Sequence, residues 1–266
     1  IVNRVDDSVV KVMARKSRLF RRGRGYAPEP IPLPEGFAKD QQILAMGGEL
    51  KNTFCMVKEG RAILAQHTGD LEEFRTYNDY RNNLKLYKDL YDHNAGHIAI
   101  DLHPEYLSSK LGREMAAENM IELHHIQHHH AHIASCLAEN NIPLHTNKVL
   151  GIALDGLGYS PEGLWGGEFL LADYSNFERL ATFKPVALPG GSKAMKEPWR
   201  NTYAHIMPAM GWSEYILKYA ELELTDFLQS KPLDTLNGML KTNTNVPRAS
   251  SCGRFFDAVA GALNIS

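Results

Sequence analysis

An apolar strand, a turn carrying glycine and an acidic residue, and a returning strand occur twice in this chain. No other feature restricts its fold as much. The first copy is Ile43-Leu-Ala-Met-Gly-Gly48 with Glu49, followed by strands over Thr53–Val57 and Arg61–His67 that a turn at Lys58-Glu-Gly-Arg61 joins. The second is Val149-Leu-Gly-Ile-Ala-Leu154, a strand that Asp155-Gly156 terminates and onto which Glu168–Ala172 pairs back. Apolar runs this short, bounded by glycine, read as strands buried in a sheet. Helical patterns separate them, so the class is α/β.

The longest helical pattern starts at a cap over Gly69-Asp70 and buries Leu71, Phe74, Tyr77, Tyr80, Leu84, Tyr87 and Tyr91, spaced three or four apart, before Asn94-Ala-Gly96 ends it. A short strand, His97-Ile-Ala-Ile100, leads to Asp101 and His103. A helix from about Glu105, a strand near Ile121–Ile126 and a histidine-rich helix up to Asn140-Asn141 follow. From Pro198 the pattern is mainly helical, and Phe255–Ile265 reads as a closing amphipathic helix. The duplicated strand–turn–strand unit is the layout of actin-like, two-lobed folds, in which Gly47-Gly48-Glu49 and Asp155-Gly156 would be related phosphate-facing hairpins.

Ahead of this lies Ala27-Pro-Glu-Pro-Ile-Pro-Leu-Pro34, with proline at every second position, which predicts a stiff extended linker and a domain boundary. Residues 8–28 before it carry Lys11, Arg15, Lys16, Arg18, Arg21, Arg22 and Arg24 and no acid until the linker. They form either a solvated arm or, through Arg-Gly-Arg-Gly, a phosphate-binding segment. The net charge of −2 argues against a general nucleic-acid binder. No apolar run approaches the ~20 residues that span a bilayer. Cys55, Cys136 and Cys252 fit no CxxC or disulfide framework, which favours a reducing cytoplasm, and Cys136 reads as core in the histidine helix. The chain starts at Ile1 without a signal peptide, and both ends read as interruptions of something longer.

Gln127-His-His-His-Ala-His132 carries the strongest local chemistry. His128 and His132 lie four apart, so a helix projects both imidazoles from one face toward one metal. Six histidines in the nine residues 124–132 favour that over a polar, solvent-facing helix. Zincin chemistry fits poorly, because that motif needs Glu after the first histidine and His129 stands there. Asp155 ends a strand where α/β proteins build sites, although Asp-Gly is also a common turn pair. Asp155-Gly-Leu-Gly-Tyr159 has enough glycine for backbone N–H groups to meet a phosphate. Pro189-Gly-Gly191 with Glu197-Pro-Trp-Arg200 offers another ligand-facing loop, but reads first as a plain surface turn. Ser250-Ser-Cys-Gly-Arg254 opens the last helix, where glycine and Arg254 suit an anion and the serines suit a cap.

Taken together and in order, these segments resemble the HypF carbamoyltransferase family. Asn3-Arg4, Asp6-Asp-Ser-Val-Val10 and Arg21-Arg-Gly-Arg-Gly-Tyr-Ala-Pro28 resemble the end of its YrdC-like domain, with Asp7, Ser8, Arg22 and Arg24 as that tail's site residues. Gly47-Gly-Glu-Leu-Lys-Asn52, Gln66–Glu72, Asp101-Leu-His-Pro104, Gln127–His132, Ala153–Gly156, Leu164–Glu168 and Ser251–Asp257 resemble its transferase domain. That domain is similar to TsaD, the tRNA threonylcarbamoyl transferase. The resemblance implies residues 1–28 as a YrdC-like tail, 29–40 as linker and 41–266 as a TsaD-like, actin-like domain short of its C-terminal part.

The resemblance implies His128 and His132 as a metal pair with Asp155 as third ligand, zinc or iron as the ion, and a further acidic ligand beyond Ser266. Gly47, Gly48, Lys51, Asn52, Gly156, Gly158, Gly167, Glu168, Gly253 and Arg254 would receive ATP or carbamoyl-adenylate. The implied reaction makes carbamoyl-adenylate from carbamoyl phosphate and ATP, then passes the carbamoyl group to the C-terminal cysteine of HypE. It also implies that this segment alone does not complete it. Competing readings are a small-molecule O-carbamoyltransferase, an actin-like sugar kinase and a non-catalytic HypE-docking fragment. The histidine pair counts against the kinase, whose Mg²⁺ takes oxygen ligands.

Overall fold

A computed structural model describes residues 4–265, so Asn3 of the N-terminal match and Ser266 lie outside the described residues. Contacts divide the chain into two units, 1–146 and 147–266.

The first unit opens with an exposed hairpin, β1 (Val9–Met13) and β2 (Lys16–Arg21), turned by Ala14 and Arg15 at positive φ. Lys11, Arg15, Lys16, Arg18 and Arg21 all face solvent. The proline-rich segment is extended as expected, but it is also paired. Its Ile31–Pro32 (β3) joins β6 (Arg61–Leu64), Leu33 N–H donates to Gly60 O at 2.9 Å, and Leu144 N–H donates to Glu35 O at 2.8 Å. Proline suits that place, because an edge strand has a face that needs no donor. β4 (Ile43–Ala45), β5 (Cys55–Lys58), β7 (His97–Asp101) and β8 (Glu122–Ile126) complete a six-stranded sheet in the order β3-β6-β5-β4-β7-β8. The β5–β6 hairpin turns through Glu59 and Gly60 at φ 54° and 70°, the predicted position.

Helices α1 (Phe74–Leu90), α2 (Leu107–Asn119) and α3 (His128–Glu139) belong to this unit. α1 starts at Phe74 with Glu73 as N-cap, four residues later than Gly69-Asp70 suggested, and ends at Leu90, ahead of Asn94-Ala-Gly96. Asp70 is occupied elsewhere: its Oδ1 accepts from Lys51 N–H at 2.8 Å. The predicted stripe holds for Tyr80, Leu84 and Tyr87, but Phe74 is 78% exposed because it sits at the first turn, off the sheet. Phe54 packs edge-on against Tyr80 and Tyr87 at 5.8 and 5.2 Å, and the Tyr80 hydroxyl donates to Met46 O at 2.9 Å. Each such aromatic pair adds about 0.5–1.5 kcal/mol beyond area burial. α2 lies so close on the sheet that a side chain at Gly112 would overlap Ile100 Cγ2 and come within 2.9 Å of Met46 Cγ. Cys136 is exposed on α3, not in the core.

In the second unit, β9 (Val149–Ser160) and β10 (Gly163–Ala172) form a long antiparallel hairpin. β10 also pairs with β11 (Phe177–Thr182) and β13 (Arg248–Ala249), and β13 pairs with β12 (Val186–Ala187). Asp155-Gly156 does not terminate its strand; β9 runs through it, opposite a register shift between Trp165 and Gly167. Nor is Val149–Leu154 buried on both faces, since Leu150, Ile152 and Leu154 are more than half exposed. Its apolar run arises from two unlike faces of an edge strand. Helices α4 (Ser192–Lys196), α5 (Trp199–Ala209), α6 (Trp212–Tyr219), α7 (Glu223–Gln229), α8 (Leu233–Thr242) and α9 (Cys252–Ala262) make up the remainder around Tyr203, Leu228 and Leu236.

Candidate functional site

In the first unit, side chains converge where β7 and β8 end. β7 delivers Asp101 at its last residue, and β8 runs through Gln127 straight into α3. Gln127 caps α3, its side chain accepting from His130 N–H at 2.9 Å, which fixes the first turn and therefore His128. His128 Nδ1 lies 2.7 Å from Asp101 Oδ2, and its Nε2 lies 3.2 Å from His132 Nε2. Two nitrogens bound to one tetrahedral ion at about 2.0–2.1 Å sit roughly 3.3–3.4 Å apart, so the pair has ligand spacing. Asp101, buried behind His128, sets the tautomer that leaves the Nε2 lone pair facing outward. Its other oxygen accepts from His103 N–H at 2.8 Å. Burial holds His103 below the usual imidazole range, against the pull of Asp101, while its ring stacks on Tyr106 at 4.0 Å.

The Gly47–Asn52 turn lies beside this pair. Gly47 has φ 75° and no room for a side chain against Thr53 O, and a Cβ on Gly48 would stand 3.9 Å from His128 Cε1. Asn52 is buried, with its amide donating to Met46 O at 3.2 Å and Gly48 O at 2.5 Å; Lys51 is exposed. The Ser108 hydroxyl donates to Gly47 O and Gly48 O at 3.0 and 3.1 Å. Glu49 accepts from Leu107 N–H at 2.7 Å and caps α2; burial lifts its carboxyl above the usual range, against the backbone N–H groups that lower it. Asp101, Ser108 and Glu49 were not singled out as site residues from sequence. Asp101 carried a signal, as an acid at the end of a buried strand, and Glu49 carried one as the acid of the first glycine turn; Ser108 carried none.

In the second unit, backbone rather than side chains comes together. Gly156 and Gly158 lie in β9, Gly158 opposite Trp165. A Cβ on Gly166 would lie 2.8 Å from both Gly156 O and Ser251 Cα, and one on Gly253 would lie 2.9 Å from Gly156 Cα. The start of α9 is thereby laid on the β9–β10 hairpin. Ser251 caps α9, accepting from Arg254 N–H at 3.0 Å, and its hydroxyl donates to Gly156 O. Asp155 Oδ1 accepts from Gly156 N–H at 2.6 Å. Gly167 packs against Ser250 O and the Phe183 ring. Glu168 is wholly buried: Arg179 Nε lies 2.7 Å from Oε2, and Ser250, Thr182 and Gly166 N–H donate to Oε1. Burial alone would raise its carboxyl; Arg179, Ser250 and Gly166 hold it below the usual range. Arg254 Nε faces Asp257 at 3.0 Å, and Arg254 lines a cavity of about 380 Å³ with Phe183, Lys184, His205 and Ser251. Glu197 and Arg200 pair with each other at 2.5 Å, and Arg200 is buried.

The tail residues are joined to one another. The Ser8 hydroxyl donates to Arg24 O at 2.9 Å and accepts from Gly23 N–H at 2.9 Å. Arg22 donates to Tyr26 O and Glu29 O at 2.8 and 2.7 Å, and Arg24 pairs with Asp7 on the surface at 3.6 Å.

A mixed α/β sheet unit with a histidine pair at its strand ends, followed by a glycine-built hairpin unit, defines the Kae1-like class of transferase domain. Residues 38–139 match the HypF Kae1-like domain, and residues 151–266 match the second subdomain of the carbamoyltransferase Kae1-like domain. The chain is 42% identical over its whole length to carbamoyltransferase HypF of Rhodobacter capsulatus, of which it covers 34%. It is 35% identical, again over its whole length, to the probable carbamoyltransferase HypF of Methanocaldococcus jannaschii, also covering 34% of that protein. A crystal structure of full-length HypF in the phosphate- and nucleotide-bound form superposes with TM-score 0.88 at 38% identity, over all of this chain and 40% of that one. This chain belongs to the HypF carbamoyltransferase family. It spans about a third of the length of these curated relatives.

Proposed function

We propose that this segment carries the carbamoyl-transfer site of a HypF-type reaction in cytoplasmic [NiFe]-hydrogenase maturation. Carbamoyl phosphate and ATP give carbamoyl-adenylate, whose carbamoyl group passes to the C-terminal cysteine of HypE. Residues 1–28 are then the tail of the YrdC-like, adenylate-forming domain, 29–40 its link, and 41–266 the transferase domain. The observation that carries the reading is the His128–His132 pair at 3.2 Å with Asp101 behind it. His128 and His132 hold a divalent ion, zinc or iron, and Asp155 supplies the carboxylate. The bound ion supplies Lewis acidity toward a carbonyl or phosphate oxygen.

The chain's own groups do the remainder. Asp101 takes the Nδ1 proton of His128 as a hydrogen bond and keeps Nε2 free of it. Backbone N–H groups at Gly47–Gly48, at Gly156–Gly158 and at the start of α9 receive the adenylate, with Lys51 and Arg254 beside them. Asn52, Gly167, Glu168 and Gly253 serve by holding those turns in place. The HypE thiolate attacks the carbamoyl carbon, a C–S bond forms, the C–O bond to phosphate breaks, and AMP leaves with the electron pair.

The test uses this chain joined to the further parts its relatives carry. In His132→Ala, HypE carbamoylation should vanish while carbamoyl-adenylate formation persists. Parallel loss of both half-reactions would overturn the division of labour. Asp155→Asn should lose metal with the fold intact by circular dichroism. Full metal content in that variant would leave Asp155 a backbone cap.

A further inference from the structure

A second cluster of metal-ligating side chains stands at the opposite end of β7 from Asp101. β7 and β8 are parallel, with His97 opposite Glu122 and Ala99 opposite His124. Glu122 and His124, two apart on β8, therefore share one face with His97. His97 Nδ1 lies 3.1 Å from His124 Nε2, 3.4 Å from Glu122 Oε2, and the other Glu122 oxygen lies 3.6 Å from His124 Nε2. All three ligand atoms fall within 4.8 Å of one another.

Hydrogen bonding alone satisfies this arrangement badly. The same two nitrogens face each other and face the carboxylate. With one proton between the rings, the bare nitrogen spends its single lone pair on that proton, and Glu122 faces two nitrogens of which neither has an N–H left for it. With a proton on each, two N–H groups point at one another. A cation placed among the three removes both conflicts, since each nitrogen and one oxygen then donate to it. Among the described residues, no lysine or arginine pairs with Glu122 to relieve it otherwise. The side chains are 32%, 65% and 41% exposed for His97, Glu122 and His124, so an ion from solvent reaches them.

We propose that His97, Glu122 and His124 form a second divalent-metal site. Two imidazoles and one carboxylate select a borderline ion such as zinc(II) or cobalt(II) over magnesium or calcium, and three protein ligands leave one position open to water. The site is distinct from the His128 pair, because His97 and Asp101 are four residues apart on β7, about 13 Å at ~3.3 Å per residue. β8 is the edge strand of its sheet and leads directly into His128. A metal here clasps that strand to β7 and steadies the element from which the catalytic histidines hang.

The test titrates zinc(II) and cobalt(II) into the full 266-residue chain. The wild type should bind two ions, and His128→Gln/His132→Gln should still bind one, with a tetrahedral cobalt spectrum and a zinc-dependent rise in Tm. Adding His97→Gln and His124→Gln should abolish that remaining ion. Glu122→Gln, at an exposed residue that puts folding at little risk, should weaken it by at least about tenfold. If the His128→Gln/His132→Gln chain binds no zinc, or if Glu122→Gln and His97→Gln/His124→Gln leave its binding and its Tm rise unchanged, the site does not exist.

Discussion

Asp101, His128 and His132 in the first unit meet through side chains at 2.7 and 3.2 Å, whereas Gly156, Gly166 and Gly253 in the second meet through bare backbone. One region concentrates chemistry by adding donor atoms, and the other makes room by leaving atoms out. The first tolerates no change of donor, because the lone pairs are directional. The second tolerates no added volume, because a Cβ at Gly166 has carbonyl and Cα atoms 2.8 Å away. Substitution by type therefore separates them: a lost donor in the first unit costs function without fold, and added volume at the glycines of the second costs fold.

The largest effect should come from His132→Ala. Removing one of two imidazoles from the ion should lower metal affinity by more than the ~10–100-fold typical of losing a ligand's hydrogen-bond partner. Metal analysis after dialysis checks it, with unchanged circular dichroism. Asp101→Ala should fall within that ~10–100-fold range, because it disturbs only the orientation and tautomer of His128. An Asp101→Ala chain binding metal as tightly as wild type would show that the 2.7 Å contact does not tune the pair.

In the second unit, Glu168→Gln should cost about 3 kcal/mol by denaturant unfolding, since it leaves the Arg179 charge without its buried partner. The pH dependence has a definite sign. The native Glu168 carboxyl is held below the ordinary value of about 4.3, so its stabilisation is complete above that pH and is lost as pH falls through the lower native value. Acid unfolding of Glu168→Gln should lack this component; an unchanged acid limb would place the acid sensitivity elsewhere. Gly166→Ala should cost about 1–3 kcal/mol from the backbone shift an added methyl forces. Denaturant unfolding checks it, and an unchanged midpoint in that chain would show that the hairpin and the start of α9 have room to spare. At the other extreme, Phe74→Ser should change stability by no more than about 0.5 kcal/mol, because the ring is already in water.

The alternation of short apolar runs with helical patterns determined the α/β class by itself, because strand and helix periods differ and glycine marks where runs stop. The His128–His132 spacing was equally legible, since a helix puts residues four apart on one face whatever surrounds it. The β5–β6 turn followed from glycine's tolerance of positive φ. Other features needed the tertiary structure. Whether Asp155-Gly156 ends a strand or is carried through one depends on the partner β10, and local turn propensity lost to a ladder that continues on both sides of it. The start of α1 moved to Phe74 because Asp70 had a better use in accepting from Lys51. Asp101 became the partner of His128, and His97 met His124, only because the parallel register of β7 and β8 set residues about 27 apart side by side. Register is set by how the whole sheet buries its core, and no local stretch of sequence encodes it.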